Sequence, residues 1–275
     1  MNLRFFLFGL LAVSAVAAPN VTEPSVNPVI DRGFREMYNL NFDAAHKTFA
    51  QWEHDHPDDP LGPVSNAAAY LFAEFDRLNI LHSEFFTDNS MFHRRPKVTA
   101  DPAVRREFDQ ELDKSGKLAG QILDRVPEQA DALFAKILTL GLRADYEALI
   151  ERRDFDALKV IKDSRATAEK LLMVQPNYYD AYLAVGVENY LFSLKPAPMR
   201  WILQAGGAET DRDKGVEDLR LTAEKGRYLS PYARLLLAVA ALRNKDIPKA
   251  RDLLGALARE FPHNRLYAQE LARLN

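Results

Sequence analysis

The one run that groups metal-ligand side chains is His54-Asp55-His56, followed closely by Asp58 and Asp59. Imidazole and carboxylate are the zinc ligands left to a chain without thiols. Adjacent side chains at a helix end diverge, so a closed site would need distant help from His82 or His93, and a solvated helix terminus is the simpler reading. Asp211-x-Asp213-x-Gly215 has the opening spacing of a calcium loop. It lacks the third oxygen ligand before the glycine, and Thr222 stands where a bidentate Glu is needed. These carboxylates are instead expected in a first helical turn, where negative charge suits the helix dipole. Gly206-Gly207 has no Gly-Lys-Ser/Thr after it and no strand pattern before it, which removes a phosphate loop. No Gly-x-Ser-x-Gly occurs for a serine hydrolase. The expectation is a non-catalytic protein with no metal and no cofactor.

Charge and composition narrow the class further. Cysteine is absent, so disulfides, thiol catalysis and a lipidated cysteine are all excluded. Arg4, the apolar run from Phe5 and the small residues Ala15-Val16-Ala17 predict a signal peptide over 1–17, cleaved before Ala18. Export to the periplasm or the medium follows from that expectation, with an uncleaved anchor as its alternative. Without Arg4 the chain carries 35 basic and 39 acidic side chains. That near-neutral balance is not the footprint of a nucleic-acid binder.

The elements that must position any site are helices. Residues 18–28 are rich in proline and read as a linker. After them, alternation of the strand type is scarce and helical periodicity is plain. Ile247, Ala250, Leu253, Leu254, Leu257 and Phe261 lay one apolar stripe along a helix. The chain also repeats itself. Asn41-Phe42-Asp43-Ala44-Ala45, Asp154-Phe155-Asp156-Ala157 and Asp246-Ile247-Pro248-Lys249-Ala250 each read as a capping residue opening a helix. Asp163–Lys170 matches Asp218–Lys225 at six of eight positions. Pro57, Pro127, Pro176, Pro231 and Pro262 are expected in the first turns of new helices, where a missing N–H costs nothing.

On these residues the chain resembles the tetratricopeptide repeat family, whose unit is two antiparallel helices with small residues where they cross. The best copy is Pro231–Pro262, with Leu237, Ala238, Ala250, Leu254 and Leu257; the first unit carries Gly33, Ala45, Phe49 and Pro57. The prolines are 70, 49, 55 and 31 residues apart, whereas the family repeat is about 34. The middle units must therefore be lengthened. The resemblance implies one domain over 29–275, an all-α, right-handed solenoid. About five antiparallel helix pairs are expected, over 29–57, 58–127, 128–176, 177–231 and 232–262. A capping helix over 263–275 would close the array. It also implies a scaffold that holds a protein or peptide in a concave groove.

Counting from each proline puts Asn66, Tyr70, Lys136, Thr139, Arg143, Glu188 and Asn189 on that groove. They are candidate partner-binding residues, the alternative being that they bridge neighbouring helices. Two insertions, 86–101 and 195–215, offer other readings. Arg94, Arg95 and Lys97, with Arg105 and Arg106, make a basic patch suited to an anionic partner or lipid headgroups, hence peripheral membrane contact only. Met199–Leu203, with Trp201, reads as an apolar wedge. A small-ligand receptor or an enzyme built from the two insertions is the competing class.

Overall fold

The structure, a computed structural model, describes residues 27–82, 98–194, 204 and 210–274. The expected signal peptide, the linker up to residue 26, His93, Arg94, Arg95, Lys97 and the Met199–Leu203 wedge lie outside them.

Every regular element among the described residues is helical, and no described helix is long and apolar enough to cross a membrane. The order is α1 (Pro28–Tyr38), α2 (Phe42–Asp55), α3 (Leu61–Leu78), α4 (Pro102–Arg125), α5 (Ala130–Asp145) and α6 (Asp154–Val174). Then follow α7 (Tyr182–Ser193), α8 (Arg212–Lys225), α9 (Ser230–Arg243), α10 (Ile247–Glu260) and α11 (Arg265–Ala272). A π-helical turn, Tyr146–Glu151, continues α5, and a short 3-10 turn, Tyr179–Ala181, precedes α7. Helices adjacent in sequence are adjacent in space. The most extensive packing joins α1 to α2, α3 to α4, α5 to α6, α7 to α8 and α9 to α10.

Two recurring turns generate this order. After α2, α4, α6 and α10 the chain runs X-Pro-x-x: His56-Pro57, Val126-Pro127, Gln175-Pro176 and Phe261-Pro262. In each, the carbonyl of X accepts the N–H three residues on, at 3.0–3.1 Å. Proline suits the second position of such a turn because its φ is already set. The fourth residue then caps the next helix in two copies, Gln129 and Asn264 accepting from Ala132 and Leu266, while Asp59 accepts from Leu61 although Pro60 holds the cap position of α3. These four prolines therefore lie in the turns and not in the first helical turns expected from the sequence. Pro28, Pro102, Pro231 and Pro248 do occupy first turns.

The other turn ends α1, α3, the π-helical segment and α9. Leu40, Asn79, Arg152 and Lys245 sit there at φ of 54–62°. The N–H that follows reaches back five residues in α1, α3 and α9, closing the helix in a Schellman arrangement. Of the three expected capping residues, Asp246 accepts from Lys249 at 3.1 Å. Asn41 holds the cap position without a side-chain bond, and Arg153 precedes α6 in place of Asp154.

Small residues permit the closest crossings. A Cβ on Gly33 would overlap the ring of Phe49, and one on Gly215 would lie 2.6 Å from the backbone nitrogen of Tyr190. The main core runs without a break from Ile30 to Tyr267. Its two ends also meet. Phe34 packs on Tyr228 with ring centroids 5.2 Å apart, and Tyr38 on Phe261 at 5.5 Å. Phe72 and Phe134 pack against Tyr232 and Tyr228 from the middle of the chain. Aromatic side chains of α1, α3, α5 and α9 thus fill the centre.

Candidate functional site

A polar crossing that holds two of the sequence-derived candidates lies where α3 passes between α2 and α4. Asn66 is buried there, and both ends of its amide are used. Its Oδ1 lies 2.6 Å from His46 Nδ1, and its Nδ2 donates to Glu111 Oε1 at 3.0 Å and to Glu53 Oε1 at 3.3 Å. Since Asn66 Oδ1 only accepts, the network assigns the His46 proton to Nδ1. Tyr70, one turn further along α3, lies against His46 with ring centroids 4.1 Å apart and is half-buried. Lys114 closes the cluster through an ion pair to Glu53 Oε2 at 2.6 Å.

This cluster is short of positive charge. Burial, with the nearby charges of Glu53 and Glu107, pushes the Glu111 carboxyl up to about 7, against the lowering effect of Lys114 and Asn66. Burial, then Glu107, Glu111 and Glu53, also raises the Tyr70 phenol. A buried oxygen, Glu111 Oε2, has no hydrogen-bond partner. A cationic group from outside would relieve both shifts at once, because an opposite charge favours the ionised carboxylate.

The other candidates fall on α5 and α7. Thr139 donates to Ala135 O at 2.9 Å and lies 3.3 Å from Ser115 Oγ of α4. Arg143 pairs with Asp113 of α4 at 3.3 Å, near the surface, and Lys136 is exposed. Glu188 and Asn189 are fully buried. Glu188 accepts from Arg165 of α6 at 3.1 Å, and Asn189 Oδ1 accepts the Asp211 N–H at 3.2 Å. Asn66 and Tyr70 therefore share one site, Thr139 and Arg143 border α4 from its other side, and Glu188 with Asn189 lie apart. His46, Glu53, Glu107, Glu111 and Lys114 were not among the sequence candidates. The carboxylates of α4 were legible as an i, i+4 pair with Lys114 three residues on. Their partners on α2 stand about 60 positions away, and no spacing rule connects them.

The remaining ligand-type runs take structural roles. His56 stacks on Trp52 with centroids 3.5 Å apart, while Trp52 Nε1 donates to Asp59 at 2.8 Å. His54, Asp55 and Asp58 are exposed, and no metal-holding group of His, Asp and Glu occurs among the described residues. Asp211 accepts from the N–H groups of Asp213 and Lys214 at 3.0 Å, capping α8. In comparisons with known proteins, no protein-family model matches the chain and no curated protein matches it.

Proposed function

We propose that this protein is an exported, tetratricopeptide-like scaffold that holds a protein or peptide partner and performs no catalysis. On this reading its helices form a right-handed solenoid of five antiparallel pairs, capped by α11, and the mature chain begins at Ala18. The recurring X-Pro-x-x turns and the glycine at the α1–α2 crossing support the repeat reading. Export rests on the composition of 1–17 alone.

The observation that carries partner binding is the unmatched negative charge at the α2–α3–α4 crossing. Glu53, Glu107 and Glu111 face a half-buried tyrosine, and Glu111 is held near neutrality by its surroundings. A lysine or arginine of a partner, its stem laid along Tyr70, would supply the missing charge and a cation–π contact. The same arrangement could move a proton through Glu111, but a nucleophile beside it is absent from the described cluster.

The test compares wild type with a Tyr70→Ala/Glu107→Gln/Glu111→Gln variant in affinity capture from the cell envelope. The expected result is a partner retained by wild type and lost by the variant, with weaker retention at high salt. Equal retention by both, or capture of nothing, retires this site. N-terminal sequencing of the exported protein checks cleavage before Ala18.

A further inference from the structure

Tyr190 of α7 belongs to a small core where α7, α8 and α9 meet, with Leu219 and Leu237 beside it. Only 5% of the residue is exposed, and its hydroxyl is buried without a hydrogen-bond partner. Other buried tyrosines of this chain find acceptors. The Tyr38 hydroxyl donates to the Tyr228 carbonyl at 3.1 Å, and that of Tyr178 to Asp131 at 3.3 Å. A buried O–H is normally paired, so the exception at Tyr190 calls for a cause.

The surroundings of this hydroxyl are positive. Arg212 opens α8 and Arg243 closes α9. Burial raises the Tyr190 phenol, while the charges of Arg243 and Arg212 pull it back down. No described carboxylate acts on it, although Asp211 and Asp213 stand in the same turn as Arg212. Asp211 is engaged elsewhere, accepting the N–H groups of Asp213 and Lys214 at 3.0 Å. Arg212 donates to the Asn244 Oδ1 and makes no ion pair among the described residues. A guanidinium only donates. Two cations and a phenol O–H therefore stand together, and the hydroxyl hydrogen has no acceptor.

We propose that the junction of α7, α8 and α9 is a binding site for a phosphate-type oxyanion, which accepts the Tyr190 O–H and pairs with Arg212 and Arg243. Two guanidinium charges match a doubly charged ion better than a single carboxylate. The hydroxyl lies beneath the surface and Arg212 is exposed. The ion enters as the Arg212 side chain swings outward, and that side chain then closes over it. This site uses other helices than the Tyr70 cluster and does not depend on the scaffold reading.

The test is calorimetric titration of the full chain with inorganic phosphate at pH 8 and constant ionic strength. Tyr190→Phe keeps the ring and its packing and removes only the O–H; Arg212→Gln removes one charge. Each should weaken phosphate about tenfold. Lys47→Gln, which removes an exposed cation of α2, should leave the affinity unchanged. Thermal unfolding gives a second reading. Phosphate should raise the midpoint of wild type and not that of Tyr190→Phe. Without phosphate, Tyr190→Phe should unfold no lower than wild type, because the hydroxyl it loses has no partner. Methyl phosphate separates the two sources of such an ion: binding equal to phosphate assigns the site to an ester, and its exclusion while phosphate binds assigns it to the free ion. Phosphate that does not bind, that binds both variants as well as wild type, or that binds no tighter than acetate overturns the proposal. So does a Tyr190→Phe variant destabilised without phosphate, since the hydroxyl would then be satisfied within the chain.

Discussion

Asn66 shows how one side chain can organise a site. Its amide can satisfy a histidine on one side and two carboxylates on the other only because α3 is wedged between α2 and α4. The consequence is a carboxyl, Glu111, whose neutral form is favoured in the folded protein, with a pKa of about 7. A folded-state value above the unfolded one means that the native state binds the proton more tightly. The penalty is absent below the unfolded pKa, grows as pH rises, and is complete above about 7. Glu111→Gln keeps an acceptor for Asn66 and removes the charge. It should therefore stabilise the protein by about 1 kcal/mol at pH 8, after discounting for partial exposure, and do little at pH 4.5. Denaturant titrations at the two pH values check this; equal effects at both would mean that charge is not the cause. Asp145 offers a parallel case, since burial pushes it up to about 7 while Tyr232 donates to it at 3.4 Å. Asp145→Asn should show the same sign.

At the scale of the element, the turns explain much of what the sequence made legible. The helix-ending residues Leu40, Arg152 and Lys245 occupy the left-handed region that glycine takes at less cost. Lys245→Gly relieves that strain at an exposed site, and a gain of about 0.5–1 kcal/mol in thermal unfolding is expected. Gly215→Ala should do the reverse. Its methyl would meet the Tyr190 backbone at the α7–α8 crossing, where nothing flexible can yield, and a loss of about 2–3 kcal/mol is expected by chemical denaturation. The helices themselves were legible because Ala250, Leu254 and Leu257 keep a strict 3.6-residue stripe. Pro231 stands in a first helical turn as expected, but the other four prolines precede their α-helices by three to six residues, because Pro57 and Pro262 serve equally well by type in a turn or in a first helical turn. Gly215 was weighed as part of a metal loop, and its packing role was invisible because its neighbour, Gly186, belongs to another helix. Asn66 and Tyr70 could be placed by counting along α3. Glu53 could not, since its meeting with Asn66 depends on how α2 crosses α3.

The whole molecule differs from a row of independent pairs because its ends touch. In a linear stack each unit meets only its neighbours, so the ends fray separately from the middle. Here the loop between α8 and α9 ties distant parts together. Asp180 accepts the N–H groups of Arg227, Tyr228 and Leu229 at 2.8–3.0 Å. The Arg227 guanidinium donates to both carboxylate oxygens of Asp31 of α1, and the Tyr38 hydroxyl donates to the Tyr228 carbonyl at 3.1 Å. Burial raises the Asp180 carboxyl to about 6 although those three N–H groups and Arg227 pull it down, so a costly charge is retained at pH 7 as a clamp. Asp180→Ala leaves the N–H groups of Tyr228 and Leu229 buried without an acceptor, at about 1–3 kcal/mol for each. The loss should not stay local. With the loop released, Tyr228 no longer supports Phe34 and Phe134, so amide protection in α1 should fall together with that in α9. Native-state hydrogen exchange measures both in one experiment. If α9 alone loses protection and α1 keeps its own, the ends touch without being coupled, and the array behaves as an open stack.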